Sequence, residues 1–263
     1  MRILLTNDDG IEAPGLIALY NAIKDLGDIL VVAPATVQSA TSHAVTFHKP
    51  VPVEHKTYPD FTGYAVHGRP ADCVKLAVEA ISDKPIDLVI SGMNAGANIG
   101  INVIYSGTVA AAREAAFEGI PAIAVSLHIG DFDNIRWEQA AIHAREAIKL
   151  VIDGPRDAHS VININIPILD SGDPPVGIKA VPISHAPMIT RYKSDSDPDG
   201  HETYAVHNAM EFSRIDPDTD VDAIFQRYTT ITPLHFELTH LKQLNHWQAH
   251  IAAHKSGIPS RIG

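Results

Sequence analysis

Along the first two thirds of the chain, short continuous apolar runs alternate with longer stretches whose apolar positions recur every three or four residues. The first kind reads as strands buried on both faces, the second as amphipathic helices. Ile3, Leu4 and Leu5 form the first run. Leu16, Ile17, Leu19, Tyr20 and Ile23 then carry a helical spacing that starts at Ala13-Pro14 and stops at Gly27. DILVVAP (28–34), DLVISG (87–92), PAIAVSLH (121–128) and VININIP (161–167) predict further strands. ADCVKLAVEAIS (71–82), TVAAAREAAFEG (108–119) and RWEQAAIHAREAIKLVID (136–153) predict helices. Residues 35–43 are small and polar, hence a loop, and 44–68 read as β-rich excursions broken by prolines. A β-α-β opening implies a right-handed crossover and a parallel sheet, so the class is α/β.

From about Gly177 the pattern changes. GIKAVPIS (177–184) resembles a strand, and residues 188–208 resemble two strands joined by the polar tip DSDPDG. A short helix (218–228), a strand (229–238) and a terminal helix follow, the last with Leu241, Leu244, Trp247 and Ile251 on one face. An extended hairpin and a separate helix bury little surface alone. The expected organisation is therefore a core over 1–176 and a hairpin-and-helix arm over 177–263 that packs against another subunit, both within one family domain.

With 263 residues, 45% of them hydrophobic, the chain can bury a sizeable core. No run reaches the roughly 18 apolar residues of a membrane span. The opening stretch leads straight into Asp8 and Asp9, which is unlike a secretory leader. The single Cys73 excludes an internal disulfide framework and fits a reducing cytoplasm. A formal charge of −11 argues against binding a nucleic-acid polymer through its backbone.

Asn7, Asp8, Asp9 and Gly10 follow the first strand, where open α/β sheets place their ligands. Two adjacent carboxylates repel unless something positive lies between them, and a hard divalent cation such as Mg²⁺ or Mn²⁺ suits carboxylate, amide and hydroxyl oxygens. The same four residues also read as a turn in which side chains only cap backbone groups. The loop over 92–107 holds four glycines and three asparagines, and Ser106-Gly107-Thr108 opens the Ala-rich helix.

Taken together, TNDDG, APATVQSATS, GRPADCVKLAV, SGMNAGANIG, YSGTVAAARE and PDTDVDAI…TTITPLHFELT closely resemble the SurE family, the stationary-phase survival proteins, over essentially the whole chain. That resemblance implies a Rossmann-like three-layer sandwich with a C-terminal oligomerisation arm and a homodimer or homotetramer. It implies divalent-metal-dependent hydrolysis of nucleoside 5′-monophosphates to nucleoside and phosphate, with one Mg²⁺ or Mn²⁺ held by Asp8, Asp9, Ser39 and Asn94. Activity on 3′-nucleotides or short polyphosphate is an alternative within the family, and a non-catalytic nucleotide sensor is the alternative from another class. The first strand-helix turn lacks G-x-G-x-x-G, which argues against a dinucleotide.

The residue chemistry assigns further roles. Asn98, in the glycine-bracketed loop, orients the attacking water or a phosphate oxygen. Ser106, Gly107 and Thr108, at a helix N-terminus, cradle the phosphate. Asp8 or Asp9 serves as general base or forms a phospho-aspartate.

Other features read as structural. His246, His250 and His254 form a solvated helix face, and His43 is a surface loop histidine. Arg113 and Glu114 make exposed helix-surface contacts, and Cys73 is an inert core thiol. Asp216, Asp218, Asp220 and Asp222 lack the glycine and terminal Glu of a calcium loop and read as a capped helix start. Against the family pattern, Ala40 stands where Gly is usual after the serine, Arg69 where Thr is common, and Ala115 where Gly often occurs.

Overall fold

The computed structural model describes residues 1–155, 159–207, 210–235 and 237–256. Strand β1 (Arg2–Thr6), helix α1 (Pro14–Ile23) and strand β2 (Asp28–Pro34) form the opening β-α-β unit, and β1 and β2 pair in parallel. The proline-broken stretch folds as an antiparallel hairpin, β3 (Val53–Thr57) and β4 (Thr62–Val66), whose second strand adds in parallel to β2. Then come α2 (Pro70–Leu76), β5 (Leu88–Ala95), α3 (Gly107–Phe117), β6 (Ala122–Leu127), α4 (Trp137–Asp153) and β7 (Ser160–Ile166). The C-terminal part contributes β8 (Gly177–Ala180), β9 (Tyr192–Ser196), β10 (Glu202–Val206), α5 (Asp220–Phe225), β11 (Tyr228–His235) and α6 (Leu241–Ser256).

Nine strands make one sheet in the order β3-β4-β2-β1-β5-β6-β7-β11-β8, parallel from β4 through β7. Successive strand residues face opposite ways, and the core divides accordingly. Ile3, Leu5, Val31, Ile90, Val125 and Ile164 pack with α1 and α4 on one face. Leu4, Val32, Val89, Ala124 and Val161 pack with α2 and α3 on the other. The result is a three-layer α/β sandwich. Burying β1 on both faces explains why Ile3, Leu4 and Leu5 show no polar alternation; all three are fully inaccessible.

β8 and β11 belong to the main sheet, β11 antiparallel to β7 and parallel to β8. The composition change near Gly177 therefore marks a change in strand direction at one end of the same sheet. The hairpin β9–β10 is a separate two-stranded sheet with every residue exposed. Leu241, Leu244, Trp247 and Ile251 are exposed on α6.

Three side-chain expectations, for Glu114, His43 and Arg113, are corrected. Glu114 is 5% exposed rather than on the helix surface, because His43 and Lys75 converge on its carboxylate at 2.7 and 3.0 Å. His43 is thus tied into the fold, stacked on Phe117 at 5.2 Å between ring centroids, and Arg113 is only partly exposed. Asp220 does begin a helix, but its carboxylate is fully buried. It accepts from the backbone N–H of Gly100 and Ser184 at 2.8 and 2.7 Å, which fastens the C-terminal segment to the glycine-rich loop. Cys73 is fully buried, as expected, and burial pushes its thiol well above the usual range.

Candidate active site

The chain leaves β1 toward β2 on one side and later returns through β5 on the other, so the strand order reverses at β1. Ligands of open α/β sheets bind beyond the carboxyl ends of the strands at such a point. Here the loop after β1 carries Asp8 and Asp9. Asn7 shapes it: its amide donates to the Gly10 carbonyl at 2.8 Å and its side-chain oxygen accepts from the Gly10 N–H at 3.2 Å. Gly10 sits at φ +103°, open to glycine and unfavourable for other residues. Asn7 therefore builds the turn, which leaves Asp8 and Asp9 for chemistry.

A cavity of about 200 Å³ opens there, and Asp8, Ser39, Asn94, Asn98 and Ser106 all line it. The structure thus brings together residues from the connections that follow β1, β2 and β5. Asp9 adjoins them through its carboxylate, which accepts from the Ala95 N–H at 2.9 Å. β5 continues through Asn94 to Ala95, beyond the Gly92 end expected from the sequence, and an irregularity between Ser91 and Asn94 resets its register with β6. The Asn94 side-chain amide donates to the Gly96 carbonyl at 2.6 Å, which leaves the side-chain oxygen as its spare ligand atom.

The Ser39 loop is held from both ends. Gln38 donates its backbone N–H to the Asp8 carbonyl at 2.7 Å, and the Ser42 hydroxyl donates to the Ile104 carbonyl at 2.9 Å. Ala40 occupies φ +56° and Ser42 φ +53°, left-handed conformations for residues with side chains. A glycine at position 40, as the family resemblance leads one to expect, would adopt this conformation freely, and Ala40 adopts it at some steric cost.

Thr108, in the first turn of α3, donates its hydroxyl to Asp8 Oδ1 at 2.5 Å. Ser106 caps the helix by accepting from the Val109 N–H at 3.0 Å. Gly107 lies directly against Asp8: a Cβ there would fall 2.8 Å from both Asp8 Cβ and Oδ2. Gly107→Ala is therefore expected to displace Asp8 and lower turnover by about 100-fold, the cost of a displacement near 1 Å in a reacting group. Steady-state rates compared with unchanged far-ultraviolet circular dichroism check this.

Asn98 is 4% exposed and fixed by residues that sequence reasoning passed over. Its backbone N–H donates to Asn165 Oδ1 at 2.7 Å, its carbonyl accepts from Asn163 at 2.8 Å, and its side-chain amide donates to Ser126 Oγ at 2.8 Å. The signal was present in VININIP. Two asparagines two positions apart share a face of β7, and buried amides require partners.

Burial pushes the Asp8 carboxyl up to about 6, partly opposed by the Thr108 hydroxyl and reinforced by the charge of Asp9. Burial also raises Asp9, against the Ala95 hydrogen bond. Among the described residues no basic side chain offsets either carboxylate. The pair lacks a positive charge, and the donors around it are all oxygens, a set that fits a hard divalent cation. Asp197, Asp199 and His201 also cluster, but at the exposed hairpin tip, where the His201 ring and backbone hydrogen-bond within the cluster.

The model of the family described as survival protein SurE matches residues 3–191. The chain is 42% identical over 248 residues to 5′-nucleotidase SurE of Syntrophobacter fumaroxidans, covering 93% of this chain and 97% of that one. It is 42% identical over 245 residues to 5′-nucleotidase SurE of Pelotomaculum thermopropionicum, covering 92% of each. The crystal structure of the SurE protein from Aquifex aeolicus superposes with a TM-score of 0.80 at 37% identity, over 94% of this chain and 98% of that one. A reversal of strand order at β1, an acidic pair with Asp8 buried beside a helix N-terminus, and these matches together identify the chain as a member of the SurE family.

Proposed function

We propose that this protein is a divalent-metal-dependent phosphomonoesterase that hydrolyses nucleoside 5′-monophosphates to nucleoside and phosphate. The observation that carries the reading is the Asp8–Asp9 pair, without a cation partner among the described residues, in which Asp8 is buried against the first turn of α3. The relatives' names supply the substrate class.

Asp8, Asp9, Ser39 and Asn94 would hold one Mg²⁺ or Mn²⁺, which supplies Lewis acidity and neutralises charge on phosphate oxygens. Thr108 holds Asp8 in place through its hydroxyl. Asp8 or Asp9 would take the proton of an attacking water. Asn98, locked by Asn163, Asn165 and Ser126, orients that water or a phosphate oxygen. The N–H groups of the first turn of α3 have no helical acceptors, so Ser106, Gly107 and Thr108 steady the remaining phosphate oxygens.

The exposed hairpin β9–β10 and the apolar face of α6 support an arm that packs on a second copy. Among the described residues no helix is long and apolar enough to cross a membrane.

Phosphate release from AMP or GMP tests the activity. With Mn²⁺ it is expected to be rapid; excess EDTA should abolish it and added Mn²⁺ restore it. Release that EDTA leaves untouched overturns the metal role, and nucleotide binding without turnover indicates a sensor instead.

A further inference from the structure

We propose that a second cavity, lined by Thr36, Gln38, Thr46, Lys49, His67 and Arg69, is an anion subsite for a second phosphate group on the substrate. Nucleoside bisphosphates are then the preferred substrate class. This rests on the reading above, in which the first phosphate sits in the Asp8 cleft.

The cavity holds about 270 Å³, room for a phosphate group. Among the described residues neither Lys49 nor Arg69 forms an ion pair. The Arg69 guanidinium donates only to the neutral Gln38 Oε1, at 2.6 Å. His67 is engaged by Glu54 at 2.6 Å. The carboxylate behind the cavity is Asp72, already occupied by the Thr46 N–H at 2.8 Å, the Thr46 hydroxyl at 2.7 Å and the Arg69 backbone N–H at 2.8 Å. Two cations lining one polar cavity, neither paired with a carboxylate among the described residues, draw an anion. In a chain of net charge −11 this is a local inversion of sign. A guanidinium fork matches phosphate oxygens in pairs, and a lysine adds a point charge.

The two cavities share the loop that carries Gln38 and Ser39. Gln38 lines the cationic one and donates its backbone N–H to the Asp8 carbonyl, while Ser39, the next residue, lines the acidic one. Their walls are consecutive residues, with Cα atoms about 3.8 Å apart. A second phosphate on the ribose is the group proposed to occupy the cationic cavity.

The test compares AMP with adenosine 3′,5′-bisphosphate as substrates, with Mn²⁺, for the wild type, Lys49→Ala and Arg69→Thr. Arg69→Thr introduces the residue that the family resemblance leads one to expect, and it keeps the backbone bond to Asp72. The wild type is expected to show a KM for the bisphosphate about tenfold below that for AMP, the size of one charged hydrogen bond. Each variant should raise the bisphosphate KM about tenfold and leave kcat and KM for AMP within about twofold. Equal wild-type KM values, or variants that shift both substrates together, overturn the proposal. Calorimetric titration of the bisphosphate reads the cavity even if AMP is never hydrolysed. Binding lost in both variants then upholds the subsite while the hydrolytic reading fails, and unchanged binding overturns it. Inorganic phosphate that binds as tightly as the bisphosphate would make this a site for the free ion and overturn the substrate assignment.

Discussion

Asp8→Asn is expected to raise the stability of the metal-free protein at pH 7.5 while reducing turnover about 1,000-fold, the order of a lost general base. The reason lies in the sign of the linkage. Burial raises the Asp8 carboxyl from 3.8 to about 6, so the folded chain binds that proton more tightly than the unfolded chain does. The associated stability is fully present below pH 3.8 and is lost as pH rises through about 6. The interval, about 6 minus 3.8, corresponds to roughly 3 kcal/mol at 1.36 kcal/mol per decade. A neutral amide of the same shape avoids the penalty and still accepts the Thr108 hydroxyl. The midpoint of thermal unfolding should rise by about 6 °C in EDTA. Adding Mn²⁺ should stabilise the wild type strongly and the variant little. A variant less stable than the wild type without metal at pH 7.5 would mean that the ionised Asp8 carboxylate is not a strained group.

Asp220→Ala is expected to be the most destabilising single change outside the cleft, at about 4 kcal/mol. Asp220 is fully buried, and its carboxylate accepts from the N–H groups of Gly100, Ser184 and Val221 at 2.8, 2.7 and 2.8 Å. Truncation strands these donors in a dry interior, at about 1 to 3 kcal/mol each. The burial that raises the Asp220 carboxyl is also why no solvent replaces it. Guanidinium chloride unfolding should show a lower midpoint at an unchanged slope. Met210 lines the active-site cavity from the same C-terminal segment, so loosening this attachment should also weaken activity at 37 °C. A midpoint within error of the wild type would show that this carboxylate is not what holds the segment to the glycine-rich loop.

Much of the architecture was legible because burial leaves its period in the sequence. A strand covered on both faces cannot alternate, which is why Ile3–Leu5, Leu30–Ala33 and Ala122–Val125 read as continuous runs. Helices covered on one side must alternate, as α4 does with Ala140, Ala144, Ala147 and Val151 buried. The ends of elements were less legible. β5 runs through the glycine at 92 because pairing with β6 resumes at Asn94, a contact some thirty residues away in sequence that local composition does not encode.

The partners of individual side chains were the least legible. Glu114 looked like an ordinary helix-surface acid, yet His43, 71 positions away, and Lys75, 39 positions away, enclose it. Asp220 read as part of a capped helix start, yet its partner Gly100 lies 120 positions away. The asparagines of β7 drew no separate reading within the predicted strand VININIP, yet they clamp Asn98.

By itself, then, the sequence determined the class of fold, the family, and the oxygen-rich chemistry of the candidate site, because hydrophobic period and residue type are local properties. Only the tertiary structure decided that loops after β1, β2 and β5 meet at one sheet edge, that Gly107 presses against Asp8, and that a cationic cavity backs onto the acidic one. Those are distances between residues far apart in the chain. They exist only once the parallel sheet has brought the carboxyl ends of its strands side by side.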